Sequence, residues 1–241
     1  MHTVTAEEVV QFRRAGYMRI PRLIDDQALG ELRAAYDTLI ADGASNPGTR
    51  DALLGGLTRQ IVRPELSHPL FRDNAALQAG RAIARELRGW DEPAFFYSQL
   101  LFKPPGHPHA TPWHQDDAYG VKPFAAAGIR LSHQTLQFWL ALDPADVDNG
   151  CMHFHPPVGE DCLLPHRVAA GDPEDDARLL GLESEAEIIE PALIVACPLA
   201  AGGVTVHDSG TLHYTPANRS DRPRRAYIFN FANPAFLASL T

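Results

Sequence analysis

The chain changes character near residue 90, and that change limits what it can fold into. From Ala94 onward the apolar residues come in short runs rich in aromatic and β-branched side chains. Pro, Gly or Asp bounds the runs. Such runs are too short for stable helices and fit strands instead. Candidate strands lie at 94–103, 112–116, 134–142, 150–155, 192–197, 203–208, 212–215 and 225–232. Before residue 90 the spacing is helical. Thr5-Ala6-Glu7-Glu8 fits a capping box for a helix over roughly 6–15, closed by Gly16. Tyr17–Ile20 reads as a short strand. Asp25 or Asp26 caps a second helix to about 42, with Leu29, Leu32, Tyr36 and Leu39 at helical spacing, and a third runs from about 74 to 88. Helices followed by many short strands predict a mainly β fold with flanking α-helices, a sandwich or barrel. We expect one domain over 1–241, with helices of about 1–90 packing on a core of about 91–241. The stretch 160–190 fits no strand pattern. It contains Gly171-Asp172-Pro173-Glu174-Asp175-Asp176 and reads as a lid or as a solvated loop.

With 241 residues, 45% apolar and 21% charged, the chain can bury a core of its own without disulfides. Its formal charge of −9 argues against nucleic acid and anionic membranes as partners. The longest apolar runs, such as Ala192–Cys197, cannot span a bilayer, and Met1–Glu8 shows no signal-peptide pattern. Cys151, Cys162 and Cys197 are odd in number and form no CxxC, which predicts free thiols and a cytoplasmic location.

Histidine is the unusual count, at 11. In His114-Gln115-Asp116 an extended backbone would turn the imidazole and the carboxylate to one face. With a second histidine they make a 2-His-1-carboxylate set, the arrangement of non-haem Fe(II) oxygenases. Alone, the motif reads more readily as a surface His beside an Asp. Downstream, His213 is followed by an Asn/Ser/Asp/Pro turn and by Arg224, a hairpin that brings a guanidinium near the imidazole. His207 has Asn218, not Arg, at the matching spacing and reads as strand packing. His107 and His109, set between prolines, read as solvated; His133, His153 and His155 read as hydrogen-bonded wall residues.

Taken together, these segments resemble the phytanoyl-CoA dioxygenase family of Fe(II)/2-oxoglutarate-dependent oxygenases. The resemblance runs through Phe12–Tyr17 with Ile20-Pro21, Gln99–Gly106, Trp113–Asp116, Trp139–Asp143, Asp148–Cys151, and His213 with Arg224. It departs at Met152-His153-Phe154-His155, where the family often has a Pro-Gly-Ser-His turn. The resemblance implies a double-stranded β-helix (jelly-roll) core. It implies His114, Asp116 and His213 as Fe(II) ligands and Arg224 as the clamp on the distal carboxylate of 2-oxoglutarate. Thr215, Lys103, Gln99 and Trp139 would complete the 2-oxoglutarate site, and Tyr119, His153 and Gln137 would face the substrate. The reaction implied is O2-dependent hydroxylation, or another oxidation, of a small metabolite in specialised biosynthesis, with release of succinate and CO2. An aspartate at 116 implies oxygen chemistry, since related halogenases carry a small residue there to admit halide. Two alternatives are a cupin-like isomerase or hydrolase without 2-oxoglutarate, against which Arg224 speaks, and a non-catalytic binding protein, against which the intact set speaks.

Overall fold

The computed structural model describes residues 2–43, 45–120, 132–158 and 163–239. The N-terminal segments form as their caps dictate. Helix α1 (Ala6–Ala15) starts at Thr5, whose hydroxyl accepts from Glu8 N–H while Glu8 reaches back to Thr5 N–H. Strand β1 (Tyr17–Ile20) follows, then α2 (Asp26–Asp42), capped by the Asp25 carboxylate. Helix α3 (Ala75–Arg88) is capped by Asn74.

Between α2 and α3 lies an unforeseen hairpin, β2 (Arg50–Leu54) and β3 (Thr58–Val62). Gly55 and Gly56 turn it, both with positive φ (60° and 74°), as a tight hairpin turn requires. The hairpin extends the main sheet, so the segment before residue 90 is not purely helical.

The remaining strands are β4 (Ala94–Lys103), β5 (Thr111–His114), β6 (Thr135–Ala141), β7 (Met152–Phe154), β8 (His166–Ala170), β9 (Leu179–Leu182), β10 (Val195–Cys197), β11 (Val204–Asp208), β12 (His213–Thr215) and β13 (Arg224–Ala232). Among the described residues they build a seven-stranded sheet, β1-β11-β6-β13-β4-β3-β2, and a four-stranded sheet, β10-β7-β12-β5. Every pairing is antiparallel. The mainly β, jelly-roll class is therefore the fold.

Strand alternation explains how the large sheet serves two sides. Leu136, Phe138 and Leu140 of β6 and Tyr227, Phe229 and Phe231 of β13 pack with Phe12, Leu32, Leu77 and Ile83 of the helices. The opposite parity, Trp139, Ala141, Ala226 and Ile228, packs with Met152, Phe154 and Cys197 of the small sheet. Both faces of β6 are thus buried, which is why its seven residues all are.

The 160–190 stretch holds structure that its composition hid. Residues 159–162, including Cys162, lie outside the described residues. The rest forms the β8–β9 hairpin and a one-turn helix, Glu185–Ile188. The acidic run is the connection between β8 and β9. Leu179, Leu180 and Leu182 are buried, and the Leu180 N–H donates to Tyr119 Oη over 3.1 Å.

Candidate metal centre and its cavity

His114 ends β5, and His213 begins β12 directly opposite it in register. Gln115 stays extended (φ −113°, ψ 134°), so Asp116 turns to the same side as His114 although it opens a 3-10 turn, Asp116–Ala118. Three donor atoms of His114, Asp116 and His213 lie within 4.8 Å of one another. Asp116 Oδ1 is 3.6 Å from His114 Nε2 and 3.7 Å from His213 Nε2.

Each imidazole is oriented by its own strand. His114 Nδ1 donates to Pro112 O (2.7 Å) and His213 Nδ1 to Thr211 O (2.9 Å). Both Nε2 atoms are thereby turned toward the carboxylate, the arrangement of metal-ligating histidines whose other nitrogen is held by a carbonyl. Burial, and then His114, push His213 well below its usual range, so it stays neutral. Two imidazole Nε2 atoms and one carboxylate are the donor set an Fe(II) ion requires.

These groups open into a cavity of about 640 Å³, which Arg224, Thr215, Gln99 and Trp139 also line. Arg224 is 1% exposed, and its Nε and Nη1 have no hydrogen-bond partner among the described residues. Burial lowers it to about 10, so it remains a cation. Its guanidinium lies 5.4 Å from the Trp139 ring centroid. A buried, unpartnered guanidinium is costly unless an anion completes it, and a carboxylate matches its two free N–H groups. Gly150 (φ +100°) keeps this corner open, since a Cβ there would sit 2.8 Å from Pro216 O and 3.7 Å from Arg224 Nε.

Arg225 points the other way. It donates two hydrogen bonds to Asp143 (2.9 and 2.8 Å) and pairs with Asp37 (2.6 Å) beneath α2. Parity left this choice open, because both faces of β13 are buried.

Other sites differ from the sequence reading. Lys103 does not line the cavity. Its Nζ sits behind Thr215, 3.0 Å from Thr215 Oγ1 and 2.7 Å from Pro216 O, because its strand pairs it with Arg224 at the sheet's end. Gln99 lines the cavity with its amide engaged by Gln60. Tyr119 lines it and sets its ring edge-on to His114 at 5.6 Å. Gln137 lines it too, but its amide nitrogen is spent on Asp116 and His207. His153 is not a wall residue: it shares β7 with cavity-lining Met152 and points to the other face, edge-on to Tyr214 at 5.7 Å. His155 packs edge-on to Trp113, and His133 is paired with Asp208. His107 is buried rather than solvated, with Nε2 2.9 Å from Thr58 Oγ1. The flanking prolines suggested an exposed loop, but β3 covers it. His207, read as packing, is fully buried beside the centre, 3.5 Å from Asp116 Oδ2.

A family model for phytanoyl-CoA dioxygenase (PhyH) matches residues 12–226. The chain belongs to the phytanoyl-CoA dioxygenase family. Phytanoyl-CoA dioxygenase domain-containing protein 1 from Bos taurus is 29% identical over 170 residues, covering 69% of this chain. The match spans 54% of that protein, so the chain corresponds to about half the length of this relative. EvdO2 from Micromonospora carbonacea var. aurantiaca, solved with 2-oxoglutarate, is 33% identical with a TM-score of 0.78, over 96% of this chain and 92% of that one. The epimerase SnoN, solved with Fe3+, alpha ketoglutarate and nogalamycin RO, is 25% identical with a TM-score of 0.69, over 93% and 82%.

Sequence reasoning missed several cavity residues of this family member. Tyr97, Asn230 and Ile228 line the cavity on strands that were foreseen, and the alternation of β13 from Arg224 would have found the last two. Gln60 and Arg63 arrive on the missed hairpin, and Asp176 and Arg178 on the connection into β9. Arg178 donates to Tyr119 O (3.2 Å), which ties that connection to the metal motif.

Proposed function

We propose that the chain is a non-haem Fe(II)/2-oxoglutarate-dependent oxygenase that oxidises a small metabolite, with a role in specialised biosynthesis. One observation carries the reading: a two-histidine, one-carboxylate set and an unpartnered buried guanidinium line the same cavity. A metal hydrolase or isomerase has no use for the second feature. Relatives solved with 2-oxoglutarate, and one with a nogalamycin compound, support both the co-substrate and the small-molecule class.

In this reading His114, Asp116 and His213 hold Fe(II), which when bound supplies the O2 chemistry that converts 2-oxoglutarate to succinate and CO2 while the substrate is oxidised. Arg224 takes the distal carboxylate of 2-oxoglutarate, and Thr215 contacts the same carboxylate. Trp139 walls the co-substrate in, with Ile228 and Met152 keeping that end apolar. Tyr119 and Gln99 stand on the remaining walls, where substrate enters. Asp116 occupies the position a halide would need, so oxygen chemistry is retained. The residues of β8–β9 that reach the cavity make this hairpin a cover over the substrate side. No helix among the described residues is long and apolar enough to cross a membrane, and the free, buried Cys151 and Cys197 support a cytoplasmic setting.

The test is anaerobic Fe(II) loading followed by succinate measurement in air. We expect one Fe(II) per chain and 2-oxoglutarate-dependent succinate formation, lost in His114→Ala, Asp116→Ala and His213→Ala. Iron binding without any succinate, across a metabolite panel, would sink the co-substrate claim. With chloride present, a chlorinated product would overturn Asp116 as a ligand.

A further inference from the structure

The strand register lines up four side chains across the large sheet. His207 on β11 faces Gln137 on β6, Gln137 faces Asn230 on β13, and Asn230 faces Tyr97 on β4. At the metal end of this row, the Gln137 amide nitrogen contacts both Asp116 Oδ2 and His207 Nε2, the latter at 2.9 Å. An amide nitrogen carries two hydrogens and only donates. One goes to the carboxylate. The other points at His207 Nε2, which accepts it. Turning the amide over would press its oxygen against a carboxylate oxygen, two acceptors in contact. The carboxylate thus fixes the amide, and the amide fixes the ring. The ring N–H of His207 is then Nδ1, which is buried and has no hydrogen-bond partner among the described residues. Buried donors without an acceptor are rare, and this one is kept against folding stability.

We propose that Gln137, aimed by His207, is a positioning residue that holds Asp116 Oδ2 away from the metal, so that Asp116 binds through Oδ1 alone. The inference rests on the metal-centre reading above. Oδ1 is the oxygen that faces both ligand imidazoles, at 3.6 and 3.7 Å. Two imidazoles and one carboxylate oxygen leave three of six positions open. A carboxylate binding through both oxygens would leave two, too few for a chelating 2-oxoglutarate together with O2. The same contact keeps His207 out of the ligand set although its ring lies 4.6 Å from that of His213, because its only lone pair is occupied.

Co(II), titrated anaerobically into the metal-free full chain, tests this through its visible absorption. The variants are Gln137→Met, which keeps length but cannot donate, His207→Phe, and the double variant, each shown to be folded by circular dichroism. Gln137→Met should weaken Co(II) binding by about 10–100-fold and change the spectrum. His207→Phe should do less, and should add nothing in the Gln137→Met background, since it acts through Gln137. Wild-type affinity and spectrum in Gln137→Met, or independent effects in the double variant, would overturn the proposal. If the variants do not fold, the metal-minus-apo infrared spectrum of wild-type protein with labelled aspartate decides: monodentate carboxylate bands support the proposal and bidentate bands end it. Wild-type protein that binds no Co(II) at all would instead remove the metal-centre reading itself.

Discussion

Arg224 and Arg225 are neighbours in the chain with opposite surroundings, so their substitutions should separate cleanly. A bidentate, charge-assisted pair to a desolvated carboxylate is worth a few kcal/mol. Arg224→Ala should raise the 2-oxoglutarate KM by roughly two orders of magnitude, from about 1.4 kcal/mol per tenfold, with metal affinity kept. Arg225→Ala should leave KM nearly unchanged and cost about 2 kcal/mol of stability by removing two charge-assisted hydrogen bonds to Asp143. Steady-state kinetics and urea unfolding check the pair, and exchanged phenotypes would mean the register is off by one. Lys103 adds a pH signature. Burial, and then Arg224, lower its pKa from 10.5 to about 6. Between those values the unfolded chain binds a proton that the folded chain lacks, so stability rises with pH across that window and is lost as pH falls through it. Apo wild type should therefore gain stability over apo Lys103→Met from about pH 6 to about pH 9 in urea titrations; parallel curves would refute the burial argument. At this scale the metal set was legible through the family resemblance, with which the local spacing agrees: His114 and Asp116 sit two apart, and His213 and Arg224 flank one turn. His153 was misplaced because spacing does not say which face of a sheet is the cavity; Lys103 shares the face of Gln99, Leu101 and Arg224, but at the strand's end Thr215 and Pro216 take up its Nζ.

Elements were legible where one local rule sufficed. Thr5, Asp25, Asn74, Gly16 and Gly89 mark helix ends, and the strands after residue 90 follow their aromatic runs to within a few residues. The β2–β3 hairpin carried a readable Gly55-Gly56 signal, yet its polar strands obscured it: Arg50, Asp51, Arg59 and Gln60 alternate with few apolar residues because the sheet edge is half exposed. The β8–β9 hairpin was hidden by acids in its connection and by leucines without β-branching. Its attachment to the metal motif gives a test. Tyr119→Phe removes the acceptor for Leu180 N–H and should lower local stability by about 1 kcal/mol. Hydrogen exchange should show faster exchange in 179–182 with β6 and β13 unchanged, and unchanged 179–182 would mean the hairpin is held by its leucines alone. Gly80 is the corresponding point on the helical side. A Cβ there would lie 2.6 Å from Phe229 Cε2, so Gly80→Val should cost about 1–3 kcal/mol through overpacking of α3 on β13, read by urea unfolding.

For the whole molecule, the centre lies between the two sheets. The histidines come from β5 and β12 of the small sheet, while Gln137 and Arg224 come from β6 and β13 of the large one. Metal and 2-oxoglutarate therefore bridge layers that are otherwise joined by apolar contacts and by the buried Lys103–Thr215 hydrogen bonds. Ligand present at 100 times its Kd stabilises by about 2.7 kcal/mol. For a chain of this size that predicts a Tm increase of roughly 5–10 °C with Co(II), a further rise with 2-oxoglutarate, and reversal by chelator. A calorimetric Tm indifferent to both would place the ligands elsewhere. The strand order also sets a schedule for synthesis. Strand β6, buried on both faces, pairs only with β11 and β13, and both are made after it. At 5–20 residues per second, β6 leaves the ribosome roughly 3–12 s before its first partner. A growing chain thus carries an apolar strand with two open edges for seconds, and chaperone binding during translation should centre on 135–141.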